Sequence, residues 1–478
     1  MRTRRRTPSV STRLGFAIAS GVPVLVLVSM GPVAGLAGTA SVLVWALSAM
    51  IGLFMAIAFV GLAASQPHIT GGIGALAGSV LAPRSRLLAI TVQWCYWFGW
   101  SPALALNAVL VGSYVHDAVF PGSPTWIVLL VAVAVLGASV TVNHFGVRHG
   151  AWTHVVLIVC VAVPTILLVA AAVADGKFQP GRLTPFRPPG GWISTGGLIA
   201  ITGGLFLAGW SAYGSELALS FGTEYRRGTK DAVRTLVSMA VLSVVVYSLV
   251  PLLLVGVLGV HRIQQDPAVA LRPLTQQLAG GFASLVVGVL VLALLLGVNM
   301  VMIGSSRTLY QLARSGYAWR FLGKINRHGV PGNALRFDLA VNTALLLAVF
   351  AINHQHPSNT PLALLAASSV GYIMSISLAL IAAWLQHRAP ARTTWFLRIR
   401  PAFMHIALAL AVVNLVLLLA AGFAWGWPNV LLGAAVLIAV IAVFTRRAPR
   451  PDSQAVQPVA PICIAGAVNR PAQRAGDS

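Results

Sequence analysis

The sequence predicts an all-α, polytopic membrane protein of twelve transmembrane helices, and three observations carry that prediction. Hydrophobic residues make up 58% of the chain and charged residues only 9%, with a mean hydropathy of +0.85, a balance that leaves no room for a large soluble domain. The apolar residues come in runs of about twenty, the length a helix needs to cross a bilayer. Basic residues collect between those runs rather than within them.

The spans fall near Leu14–Leu36, Thr39–Ala64, Leu87–Val115, Trp126–Asn143, Ala151–Ala174, Thr195–Phe221, Ala232–Val260, Gly280–Ala313, Leu335–Ile352, Pro361–Gln386, Ala402–Trp425 and Pro428–Phe444. Residues 1–13 form a basic N-terminus. The apolar run after it is long and has no small-residue cleavage site, so it is read as an uncleaved first span rather than a signal peptide. Residues 445–478 are polar and Pro-rich, cannot bury a core, and are read as a disordered tail.

With the N-terminus inside and the spans alternating, 27 of the 32 Lys and Arg residues fall on the inner side; only Lys177, Arg182, Arg187, Arg262 and Arg272 fall outside. Basic residues concentrate in cytoplasmic loops. Both termini are therefore expected in the cytoplasm of a cell-membrane protein. The net charge of +23 is explained by the bilayer, with no nucleic acid partner required. Cys95, Cys160 and Cys463 offer neither a disulfide framework nor metal-ligand spacing, and no cofactor or metal is expected.

Nine acidic residues are spread over the chain. Asp117, Asp175 and Asp266 fall in outer loops, Glu224 and Asp231 in an inner loop, Asp452 and Asp477 in the tail, and Asp338 near a span start beside Arg336. Glu216 alone is placed well within a span. A carboxylate there costs about 2.5–3.5 kcal/mol on insertion scales, which keeps it off the lipid face. It is either a proton-linked or gating acid, or a helix-end carboxylate that reaches toward the inner surface or caps a neighbour.

Two spans read as interrupted. In the first, Ser20-Gly21-Val22-Pro23 combines glycine freedom with a missing proline N–H; Ser29-Met30-Gly31-Pro32 is a second candidate. In the sixth, Ala208, Gly209, Trp210 and Ser211 interrupt the run before Gly214 and Glu216. Paired interruptions in two halves of a transporter mark a midplane site, where freed N–H groups attract an anion and freed carbonyls a cation. An α-amino acid carries both charges.

Asn299–Leu335, NMVMIGSSRTLYQLARSGYAWRFLGKINRHGVPGNAL, closely resembles the amino acid-polyamine-organocation permeases, with Ser306, Arg307, Leu309, Tyr310, Ala313, Arg314 and Gly316 matching their pattern. On physical grounds this segment is a helix end with basic anchors at the inner surface. Ser65–Arg84 resembles the family's Pro-x-x-Gly-Gly loop, Gly146–Pro164 the start of its fifth helix, Tyr213 to Glu216 its aromatic-x-Gly-x-Glu element, and Thr223-Glu224 its acidic pair.

The resemblance implies a leucine-transporter-like core in which residues 14–174 (helices 1–5) and 195–386 (helices 6–10) are inverted repeats, with residues 402–444 forming two peripheral helices. It gives Trp210 the spacing of a gating tryptophan and Glu216 that of a proton-sensing glutamate. The sequence departs from the family in the first span, where SGVPV replaces a Gly-x-Gly-Ile-Phe-like run. It departs again at Val161, where many proton-coupled members carry lysine; that shifts the expectation for coupling to Glu216, with His154 a weaker candidate that is more readily read as a hydrogen-bonded structural histidine.

In the third span, Trp94, Tyr96, Trp97 and Trp100 precede Asn107. Aromatic residues at helical spacing usually pack, yet Trp100 and Asn107 could reach a central cavity, where Trp would stack on a cationic or aromatic substrate. Asn299, Ser368, Ser369, Tyr372 and Ser375 read as interhelical hydrogen-bonding groups.

The resulting expectation is a secondary carrier of a small molecule, an amino acid or related amine, that works by alternating access with H+ as coupling ion. Its alternatives are a sodium-coupled carrier of the same fold and a non-transporting sensor. An intramembrane enzyme finds no support in paired acids, an HExxH helix or a Ser/His dyad.

Overall fold

The computed structural model describes residues 15, 21–66, 69, 71–145, 156–157, 159–160, 173–225, 227–265, 283–352, 360–388 and 401–447. Their regular structure is helical: α1 (Val26–Ala37), α2 (Ser41–Ser65), α3 (Gly72–Leu81), α4 (Arg86–Trp100), α5 (Pro102–Val119), α6 (Trp126–His144), α7 (Thr195–Ala212), α8 (Thr229–Leu258), α9 (Val260–Gln265), α10 (Ala283–Arg314), α11 (Gly332–Ile352), α12 (Thr360–Arg388), α13 (Pro401–Trp425) and α14 (Trp427–Arg447). Among the described residues, ten helical stretches are long and apolar enough to cross a membrane. One of them, Val26–Ser65, covers most of the first two expected spans. The expected fifth span lies largely outside the described residues.

The helices form an enclosed centre with a lipid-facing shell. α4 and α12 are buried along most of their length, whereas α6, α11, α13 and α14 expose one side. Close packing at the centre rests on glycine. A Cβ on Gly99 of α4 would lie 2.7 Å from the Tyr372 Cα of α12, and one on Gly371 would lie 2.9 Å from the Cys95 carbonyl oxygen. Without a water-driven hydrophobic effect between helices, such backbone approach is a main source of attraction in a bilayer.

The described residues hold a non-α segment in each of the two spans read as interrupted, and the second is displaced from its expected place. Gly21 forms a turn and Val22–Leu25 a 3-10 turn before α1 starts at Val26. The alternative at Ser29–Pro32 is ruled out, because α1 runs through it with Pro32 inside. The second interruption does not occupy Ala208–Ser211, which are all helical in α7. It begins after Ala212 and continues as an 11-residue 3-10 segment, Gly214–Glu224. Gly209 serves packing instead: a Cβ there would lie 2.8 Å from the Tyr213 ring. A single glycine costs a helix only about 1 kcal/mol, which a buried environment overrides. A 3-10 run this long is uncommon, because its hydrogen bonds are poorer than those of an α-helix.

Two charged residues also differ from expectation. Asp338 is wholly buried in α11 rather than lying at a span edge. Arg307, expected as an anchor at the inner surface, is 2% exposed and donates to the Ile303 carbonyl at 2.9 Å. The end of α10 is otherwise as expected. Gly316 has φ +74°, and Tyr317 N–H closes back on the Leu312 carbonyl at 2.9 Å, the left-handed glycine ending that stops a helix.

Candidate functional site

The two interruptions lie against each other, and one side chain joins them. Helix interruption frees backbone carbonyls, which must find donors inside the protein because hydrocarbon supplies none. The Tyr247 hydroxyl, on α8, lies 3.0 Å from the Val22 carbonyl oxygen and 2.7 Å from that of Ser211, and donates to this pair. Ser211 and Ser29 place their Oγ atoms 2.6 Å apart, and both hydroxyls lie near the Leu25 carbonyl. Gly214 completes the approach, since a Cβ there would meet Val22 Cγ1 at 2.8 Å. Trp45 of α2 stacks on the Tyr247 ring, with centroids 5.4 Å apart and planes 15° apart, and so fixes where that hydroxyl points.

Glu216 sits in the first turn of the 3-10 segment and is wholly buried. Its Oε2 accepts from the Tyr96 hydroxyl of α4 at 2.7 Å, and its Oε1 accepts from the Tyr372 hydroxyl of α12 at 2.8 Å. Among the described residues, no Lys, Arg or His forms an ion pair with it. The Trp100 indole N–H lies beside the Glu216–Tyr96 pair without completing a hydrogen bond.

The glycine-rich segment before and within α3 seats Tyr96. A Cβ on Gly72 would lie 2.6 Å from the Tyr96 ring edge and hydroxyl, and one on Gly74 would lie 2.6 Å from Tyr96 Cβ. Gly71 and Gly72 also have φ of +95° and +75°, values that suit glycine. The loop after the second span thus lets the chain close over Tyr96 and hold its hydroxyl on Glu216. Charge-assisted hydrogen bonds of this kind are short and strong. A carboxyl group held by two phenols and no cation is chemically able to take up and release a proton. Because its donors come from α4 and α12, any change at the 3-10 segment acts on both helices.

Of the residues expected at a site, the structure gathers Gly21, Val22 and Pro23 at the first interruption, with Ala208–Ser211 in the last turn and a half of α7 beside them. Trp210 is fully buried, and its indole N–H lies 2.9 Å from both the Gly99 carbonyl and Ser368 Oγ. Trp100 lies between Trp210 and Tyr372, with centroid distances of 6.3 and 5.3 Å. Asn107 is not part of this cluster: it donates to the Ala103 carbonyl at 2.7 Å, and its Oδ1 abuts Gly297 of α10. Ser20 and His154 lie outside the described residues.

Sequence reasoning left Tyr247 unremarked and assigned Tyr96 to packing; it read Tyr372 as an interhelical hydrogen-bonding group without naming Glu216 as its partner. The available signal was the tyrosines themselves, because a phenol in the middle of an apolar span needs a buried hydrogen-bond partner.

With this geometry in view, comparison with known proteins is informative. A family model described as amino acid permease matches residues 13–466. The chain is 28% identical over 343 residues to an uncharacterized transporter of Mycobacterium tuberculosis, covering 70% of each protein. It is 26% identical over 432 residues to the aromatic amino acid permease FywP of Lactococcus lactis, covering 84% of this chain and 88% of the relative. It is 28% identical over 260 residues to the lysine-specific permease LysP of Escherichia coli, covering 51% of each. The family match spans nearly the whole chain, and the chain therefore belongs to the amino acid permeases of the amino acid-polyamine-organocation superfamily.

Proposed function

We propose that this permease carries an amino acid or related amine by alternating access, with substrate held at the joined interruptions and with Glu216 linking transport to proton movement. The observation that carries the reading is the meeting of the two interruptions at Tyr247, within a cluster that also contains Glu216, with which no cation among the described residues pairs. Relatives named for lysine and for aromatic amino acids support the substrate class and leave its side chain open. In this reading the structure is an occluded form. Gly21, Val22 and Pro23 supply backbone groups to the charged head of the substrate, while Ser211 and Tyr247 release their present partners to it. Trp210 and Trp100 close over its side chain. Twelve spans, two inverted repeats at 14–174 and 195–386, the peripheral pair at 402–444 and cytoplasmic termini in the cell membrane complete the proposal.

A proton suits this site better than sodium. The carbonyls a metal ion would need at Val22, Leu25 and Ser211 already accept from hydroxyls, whereas Glu216 has phenol donors and, among the described residues, no paired cation. Flux in proteoliposomes under imposed gradients tests this. Uptake should follow an inward proton gradient in the wild type and lose its pH dependence in Glu216→Gln. Uptake that follows sodium, or a Glu216→Gln variant with an unaltered pH profile, would remove Glu216 from coupling.

A further inference from the structure

A second carboxyl group is buried as deeply as Glu216, and nothing in the transport reading uses it. Asp338 lies six residues into α11, about 9 Å along the helix axis from its start, and is 0% exposed. Its two oxygens are treated unequally. Oδ1 accepts three hydrogen bonds: from the Trp97 indole N–H at 3.0 Å, the Ser101 hydroxyl at 2.9 Å and the Ser305 hydroxyl at 2.9 Å. Asn342 orders this set by donating to Ser101 Oγ at 2.9 Å, which leaves the serine hydroxyl hydrogen for Asp338. Oδ2 is buried and has no hydrogen-bond partner.

We propose that Asp338 is a second intramembrane proton-binding site, carrying its proton on Oδ2 and presenting Oδ1 as a carbonyl oxygen to its three donors. The asymmetry suits that form, because a carbonyl oxygen accepts, and a neutral O–H left without an acceptor costs far less than an ionised oxygen left without a donor. An ionised carboxylate would instead leave a charged, unpaired oxygen in a low-dielectric interior, among the costlier arrangements a protein can hold. Among the described residues no opposite charge relieves it. On α11 itself, Arg336 is exposed at the inner end, near His144 of α6, His328 and Arg327. On α10, Arg307 donates to Ile303; on α4, the Tyr96 hydroxyl is committed to Glu216, as is that of Tyr372 on α12. Among the described residues, none of these cations pairs with Asp338.

The site ties the junction of α4 and α5 to α10 and α11. Loss of its proton would place a charge among Trp97, Ser101 and Ser305 and loosen that junction. The proposal does not depend on the role of Glu216.

Infrared difference spectroscopy of the purified, full-length protein, titrated with acid and base, reads the protonated carboxyl directly through its C=O stretch. The expected result at neutral pH is a protonated-carboxyl band that disappears in Asp338→Asn and persists in Glu216→Gln. Ser305→Ala and Trp97→Phe each remove one donor from the C=O oxygen and should move the same band to higher frequency; they keep the test informative if Asp338→Asn does not fold. A band that survives in Asp338→Asn, or that fails to move in both donor variants, overturns the assignment. So does sodium binding that is lost in Asp338→Asn, because the site would then belong to a metal cation.

Discussion

The Tyr372 hydroxyl and Glu216 Oε1 meet at 2.8 Å although 156 positions separate them in the chain, and Tyr96 meets the other carboxylate oxygen at 2.7 Å. Glu216 is therefore a joint between α4, α12 and the 3-10 segment after α7. Hydrogen bonds to charged groups contribute about 1.5–3 kcal/mol. Tyr372→Phe and Tyr96→Phe should each lower proteoliposome uptake by about tenfold to a hundredfold, since 1.4 kcal/mol is tenfold. The double variant should lose less than the sum of the two, as expected for groups that share one partner. Strict additivity of the two effects would mean that the tyrosines act separately.

Tyr247→Phe removes the donor shared by the Val22 and Ser211 carbonyls while leaving the ring stacked on Trp45. Leaving buried acceptors unpaired costs about 1–3 kcal/mol. The variant should melt at a lower temperature in detergent. If the freed carbonyls contribute to substrate binding, it should also show a changed substrate affinity, read by ligand-induced thermal stabilisation. An unchanged melting temperature would show that water or substrate already serves those carbonyls.

What could be read from sequence follows from how local each feature is. Hydrophobic runs and basic loops are local, so the membrane class needed nothing further. The first interruption was legible because Gly21 and Pro23 each oppose helix geometry. The second was misplaced because Gly209 and Gly214 look alike in a string of letters. Only packing separates them, Gly209 making room for Tyr213 and Gly214 lying against Val22 and Trp100. Asp338 was missed for a geometric reason. Its neighbour Arg336 suggested an interface position, yet residues two apart on a helix do not share a face; Arg336 is exposed while Asp338 is buried. The Tyr96–Glu216 and Tyr372–Glu216 pairings span such sequence distances that no motif records them.

Gly74 bears on the same acid at one remove, because a Cβ at this position would lie 2.6 Å from Tyr96 Cβ and 2.9 Å from Cγ. Gly74→Ala must therefore move Tyr96 or part α3 from α4. Its effect on uptake should resemble that of Tyr96→Phe, and adding Tyr96→Phe to Gly74→Ala should cost little more. Independent, additive losses would show that the glycine supports the helix junction rather than the phenol.

Trp210 separates packing from gating most cleanly. Its indole N–H bonds to the Gly99 carbonyl and Ser368 Oγ, and Ser368 also donates to Gly99 at 2.7 Å. Trp210→Phe therefore leaves the Gly99 carbonyl with a donor, and the lost hydrogen bond should cost only about 0.5–1.5 kcal/mol of stability. Trp210→Ala should cost about 3–5 kcal/mol through the cavity it opens. If the ring closes over bound substrate beside Trp100, Trp210→Phe should raise KM by about tenfold, close to 1.4 kcal/mol of binding energy, at nearly unchanged thermal stability. A KM equal to that of the wild type, with only Trp210→Ala impaired, would restrict this residue to holding α4, α7 and α12 together.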